Sequence, residues 1–210
     1  MENRFDRELN SLYLTIVSMA TLTESAVELL SLAMYGGKRD IMDEIEEKKR
    51  EIERYSKESD AMCVNLLLRY HPVARDLRRI SSATKIIADL ERIGDNAQDV
   101  AEVMGYISNT EIYSEISLDR MCAGVKKMVQ DAVQSYVSSD AHLADEVEKM
   151  DDTVDSCFLE AKKSLIALIR ANSPSSDEAP DLMMIAKYLE RMGDHAASIS
   201  HWVIYENSNA

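Results

Sequence analysis

Turn-forming residues are nearly missing from this chain: six glycines and three prolines stand among 210 residues. Straight-chain apolar and charged residues lose little rotamer freedom in a helix, so a chain this poor in turn-formers favours helices. Cysteine is equally sparse. Cys63, Cys122 and Cys157 lie far apart, odd in number and with no C-x-x-C pairing. That argues against a disulfide framework or a zinc site and fits reduced cytosolic thiols. Positive charge is short as well, 24 Lys and Arg against 38 Asp and Glu, for a net charge of −14. A field of that sign repels phosphate backbones and anionic headgroups, which argues against nucleic acid and direct membrane binding. Cations and basic protein surfaces are the more natural partners.

Other absences narrow the field further. The start, Met1-Glu2-Asn3-Arg4-Phe5-Asp6-Arg7, lacks the basic and then apolar regions of a signal peptide. No run approaches the roughly 18 uninterrupted apolar residues that suggest a membrane span. The expectation is a soluble, cytoplasmic protein. No G-x-x-x-x-G-K-[ST] phosphate loop and no G-x-S-x-G elbow occurs. No Glu-x-x-His pair occurs either, and a di-iron four-helix oxidase needs two. Catalysis is not expected.

What is present is helical periodicity. Apolar residues make up 46% of the chain, enough for a shared core. Leu9, Leu12, Ile16, Met19, Leu22, Ala26, Leu29 and Leu30 recur at steps of three and four, which predicts one long helix from about Phe5 to Met34. Gly36-Gly37 closes it, since glycine accepts the left-handed conformation that ends helices. A second helix is expected from about Arg39-Asp40 to Tyr70, where His71-Pro72 stops it. A third follows from about Val73 to Tyr106. Residues 107–117 carry turn-formers and form the mid-chain connection. Three further helices are expected: about Leu118 to Val137, from the capping oxygens of Ser138-Ser139-Asp140 to about Arg170, and, after a linker at Asn172–Pro180, to about Asn207. The twelve methionines and the lone Trp202 fit core filler or interface surface.

The halves repeat. Leu90-Glu91-Arg92-Ile93-Gly94-Asp95 recurs 99 residues later as Leu189-Glu190-Arg191-Met192-Gly193-Asp194. The same offset pairs Ile86 with Ile185, Ala97 with Ala196 and Tyr106 with Tyr205. Both copies fall on the third helix of their half, so a duplicated three-helix unit is the economical explanation. The fold class is therefore all-α, six long helices as a tandem repeat of two three-helix bundles. The units are expected at 1–110 and 111–210.

In each copy a Glu and an Asp stand four apart, so their carboxylates share a helix face. The first copy extends to Glu91, Asp95, Asp99 and Glu102; the second runs Glu190, Asp194, Ser198 and His201. On the fifth helix Glu148, Asp151 and Asp155 share a face, with Asp152 beside them. Like charges at this spacing destabilise by about 0.2–0.5 kcal/mol per pair. A bound cation would relieve that, and carboxylate oxygens suit Mg²⁺, Ca²⁺, Mn²⁺ or oxidised iron. A plain solvated acidic face is the competing reading, as for the mixed-charge stretch from Asp43 to Glu51. Gly94 and Gly193, each costing a helix about 1 kcal/mol relative to alanine, imply close approach of a neighbouring helix or a ligand. Arg92 and Arg191 are expected to point to another face and to make ion pairs there. Of the histidines, His71 lies in a loop and His142 at a helix start, and His195 reads as structural. His201 alone has the phase to join a seam.

The duplicated L-E-R-[IM]-G-D, each on the last helix of a three-helix half, resembles the signature of the PhoU family. His71-Pro72-Val73-Ala74-Arg75-Asp76-Leu77-Arg78 is similar to that family's proline-containing turn ending in D-L-R, and the resemblance spans nearly the whole chain. It implies a six-helix protein, often a homodimer, that negatively regulates the phosphate-starvation response. The implied partners are the ATPase subunit of a phosphate ABC transporter and a sensor histidine kinase. It also implies metal clusters, iron in some members, with Glu91, Asp95, Glu190 and Asp194 as ligands. Asp151 and Asp155 match a further D-x-x-x-D of the family. In the first half the corresponding positions are Lys49 and Glu53, a departure from the pattern that counts against a cluster on that half. The alternative function is a scaffolding helical protein whose acidic faces bind nothing.

Overall fold

The computed structural model describes residues 4–36, 41–172 and 174–208. Six long helices account for most of them. In the first half α1 (Arg4–Met34), α2 (Met42–Tyr70) and α3 (Arg75–Met104) pack on one another. A single turn, α4 (Ile112–Glu115), leads into the second half. There α5 (Leu118–Ser138), α6 (Ala141–Arg170) and α7 (Ala179–Asn207) form the matching bundle. No strand occurs among the described residues.

Local chemistry sets most of the boundaries. Gly36 takes φ +85 at the end of α1, where a side chain would be strained. The expected Gly37 and the expected helix start at Arg39-Asp40 lie outside the described residues, as do Met1–Asn3 and Ser173. Asp140 caps α6, its carboxylate accepting from the backbone N–H of His142 at 3.0 Å and of Leu143 at 3.1 Å. His71, in left-handed conformation, ends α2 ahead of Pro72, and the third helix starts two residues later than expected, at Arg75.

Two expectations need correction. Pro180 does not hold α7 back: it sits in the first turn, where its missing N–H would have no helical partner anyway. The linker before it is wound into a 3₁₀ turn, Pro174–Glu178. The 107–117 connection is more than a turn, because Ile112, Tyr113 and Ile116 are buried in the core.

The halves meet through α3 and α7, the most extensive joint between them, with α1 on α5 as a second. Arg79 near the start of α3 meets Glu206 near the end of α7 at 3.6 Å, while Asp89 further along α3 meets His195 at 2.9 Å. One residue number rises as the other falls, so α3 and α7 run antiparallel. Tyr13 with Val137 (3.0 Å) and Glu28 with Lys126 (2.7 Å) show the same sense for α1 and α5. A single hydrophobic core spans both halves. By length and composition α1 is apolar enough to cross a membrane, with mean hydropathy 1.4. Its apolar face is spent on the core, through Leu12, Ile16, Met19, Val27 and Leu30.

Candidate functional site

Each L-E-R-x-G-D copy is assembled the same way. The leucine is a core residue, Leu90 at 1% exposure and Leu189 at 0%. The glycine lets a neighbouring helix close in. At Gly94 a Cβ would stand 3.0 Å from Ile52 Cδ1 of α2, and at Gly193 it would stand 3.4 Å from Val154 Cγ1 of α6. Both glycines thus serve helix packing. At Gly193 the same space also borders Asp151 Oδ1, at 3.5 Å. The first half offers no such carboxylate.

Glu190, Asp194, Asp151 and Asp155 come together between α6 and α7. Glu190, 14% exposed, pairs with Lys187 of its own helix, and that ammonium also lies 5.4 Å from the centre of the Phe158 ring. Asp151 is short of counter-charge. Burial, then Asp194, Asp155, Asp152 and Glu190, push its carboxyl up to about 6. Asp194 is raised too, by burial and then Glu190, against Lys187. His201 stays apart from these acids. It is 65% exposed and pairs with Glu148 of α6 at 3.5 Å. Ser198, one turn past Asp194, donates to Asp89 of α3 at 2.7 Å, so the expected second seam breaks there.

The first half is arranged around cations. Glu91 accepts a 2.6 Å hydrogen bond from Ser56. The Lys49 ammonium lies 2.6 Å from Glu53 and 3.7 Å from Asp95, and Arg92 lies 3.4 Å from Asp95. Lys49, Arg92 and Arg191 line one groove of about 360 Å³ with Asp95 and Asp99. Arg191 points away from the Glu190–Asp194 seam, as expected, whereas Arg92 pairs with Asp95 of its own seam, a correction to the face expected for it. Helix phase alone cannot show that the antiparallel crossing of α3 and α7 brings Arg191 back to the first seam. Burial, Asp95 and Glu102 raise the Asp99 carboxyl while Arg191 and Lys49 oppose the shift.

For a metal ion the halves give different answers. The second offers hard oxygen donors from two helices with an unbalanced negative charge, the chemistry that suits such an ion. Among the described residues no three such groups converge closely enough to form a ready-made shell. An ion would have to draw the α6 and α7 carboxylates together. The first half does not fit, because an ammonium already sits on its acids.

Sequence reading missed the Asp89–His195–Ser198 cluster that joins α3 to α7. The available signal was the misfit of the repeat: Asp89 corresponds to Tyr188, so the acid stands outside the duplicated pattern.

The Asp151 geometry has a measurable consequence. Its carboxyl is raised to about 6, above its value in the unfolded chain, so the native state holds a proton that the unfolded chain has released. The penalty is absent below about pH 4, grows as pH rises, and is full above about pH 6. Discounted for solvent screening it amounts to about 1 kcal/mol. In a chelating buffer, Asp151→Asn should stabilise the protein by that amount at pH 7.5 and by nothing at pH 4. Urea melts at the two values check it, and a gain equal at both would contradict the charge argument.

A family model described as the PhoU domain matches this chain twice, over residues 16–104 and 118–203. A phosphate-specific transport system accessory protein PhoU homolog of Pseudomonas aeruginosa is 30% identical, over 98% of this chain and 86% of its own length. A Thermotoga maritima homolog of the same description is also 30% identical, over 96% and 88%. The crystal structure of PhoU from Pseudomonas aeruginosa superposes with TM-score 0.90 at 31% identity, covering 97% of this chain and 98% of that one. A Streptococcus pneumoniae PhoU structure shares the fold at TM-score 0.86 and 24% identity, covering 98% and 97%.

Proposed function

Since the chain belongs to the PhoU family, we propose that it is the accessory regulator of a phosphate transport system, restraining phosphate uptake and the starvation response when phosphate is plentiful. The observation that carries this reading is the double domain match, one copy on each three-helix half, among relatives named as accessory proteins of phosphate-specific transport. Its partners in this reading are the ATPase subunit of the transporter and a sensor histidine kinase. The protein acts on the cytoplasmic side of the membrane, as a homodimer, with units at 1–110 and 111–210. It carries out no catalysis.

Asp151, Asp155, Glu190 and Asp194 would hold a divalent or trivalent metal ion, iron among the candidates. Such an ion would supply positive charge between α6 and α7. The support for this is the unbalanced charge of the second half, where Lys187 engages Glu190 and Asp151 is left among acids.

Deleting the gene in its own organism tests the regulatory reading. In phosphate-rich medium the deletion should raise phosphate uptake or starvation-gene expression, and a plasmid copy should restore both. Unchanged uptake and expression would overturn it, and a scaffolding role would then be the better account.

A further inference from the structure

We propose that Lys49 is the resident cation of the first half: its ammonium occupies the place that a metal ion would need, so this half is neutralised by the chain itself and takes up no ion.

The repeat supplies an internal control. Gly94 packs on Ile52 of α2 and Gly193 packs on Val154 of α6, which sets those two helices in register. In that register Lys49 stands where the second half has Asp151, and Glu53 stands where it has Asp155. One substitution of sign converts an acid cluster into an ion-paired one. The Lys49 ammonium reaches both neighbouring helices, bonding Glu53 along α2 at 2.6 Å and meeting Asp95 on α3 at 3.7 Å. A lysine bridging two acids in this way does the electrostatic work of a cation, but it is tethered and cannot leave.

Two arginines reinforce it. Arg92 reaches Asp95 at 3.4 Å, and Arg191 crosses from the other half to line the same groove beside Asp99. Three cations therefore face Asp95 and Asp99 there. An incoming Mn²⁺ would meet like charge before it met a free carboxylate, and at short range that repulsion is substantial in a half-buried groove. Glu91 is already engaged, accepting a hydrogen bond from Ser56. The two halves of the repeat have thus diverged into a closed side and an open side. The closed side follows from Lys49 whether or not the second half binds metal.

The test removes the second half from the measurement. In the full chain carrying Asp151→Asn/Asp155→Asn, equilibrium dialysis against micromolar Mn²⁺ should find no bound ion, and Mn²⁺ should not shift the melting temperature. Adding Lys49→Asp to that background should raise the bound Mn²⁺ from none to one per chain and make melting Mn²⁺-dependent. Lys49→Met, which keeps the stem and deletes only the charge, is the second variant should Lys49→Asp fail to fold, and Mn²⁺ should raise its melting temperature too. The proposal is overturned if the background chain binds an ion that Glu91→Gln/Asp95→Asn abolishes. It is also overturned if a folded Lys49 variant gains no Mn²⁺ response. Metal content of the wild-type chain reports separately on the second half.

Discussion

Leu189→Ala is expected to cost about 2–5 kcal/mol of stability and to lower the melting temperature by roughly 5–15 °C. Leu189 is fully buried on α7, and α7 is the helix that packs against α3, α5 and α6 at once. Helices hold the cavity open from several sides, so the surroundings have little freedom to collapse into it. That places the cost toward the upper part of the range. Leu90, its counterpart on α3 at 1% exposure, should behave alike. Leu159 on α6 is 53% exposed, and its alanine variant should stay within about 0.5 kcal/mol of wild type. Thermal and urea melts of the three variants read the contrast directly. A cost below about 1 kcal/mol at Leu189 would mean that α7 is not the central helix described here.

Leu189 also shows how far sequence alone reaches. Helical periodicity placed it on an apolar face, and the repeat placed that face in the third helix of its half. Helix ends were readable where one residue decides them, as at Gly36, His71-Pro72 and Asp140. Pro180 was misread because a proline ends a helix or begins one depending on the turn it occupies, and composition is the same in both cases. Tyr113 was lost in a run of polar residues, although it is fully buried. The candidate site divided along the same line. The pairing of Lys49 and Glu53 with Asp151 and Asp155 came from the family resemblance, because the 99-residue offset of the motif would pair Lys49 with Glu148. The packing of Gly94 on Ile52 and of Gly193 on Val154 supplies the register. The approach of Arg191 to the Asp99 groove could not be read from the sequence, since it depends on the crossing of two helices from different halves. Such contacts follow from tertiary packing, and no periodicity within one helix encodes them.

Asp89→Ala is the second large effect expected, about 2–3 kcal/mol. Asp89 accepts two hydrogen bonds across the α3–α7 joint, from His195 Nδ1 at 2.9 Å and from Ser198 Oγ at 2.7 Å. Both go to a charged acceptor with a side chain only 15% exposed, where water competes poorly. Truncation removes both bonds together and leaves the imidazole and the hydroxyl facing an apolar gap. His195→Ala and Ser198→Ala should each cost less, since either leaves one bond standing. A double-mutant cycle between Asp89 and His195 should return a coupling of about 0.5–3 kcal/mol, because the two side chains share one contact. The cluster joins the halves and belongs to neither bundle's interior, so its loss should also weaken their cooperation. Urea unfolding of Asp89→Ala, followed by both Trp202 fluorescence and circular dichroism, should give transitions that separate, where the wild-type curves coincide. Coincident curves with a loss under about 0.5 kcal/mol would show that this cluster does not hold α3 to α7. The expected separation instead assigns a polar clasp to this joint, the more extensive of the two through which one half can sense the other.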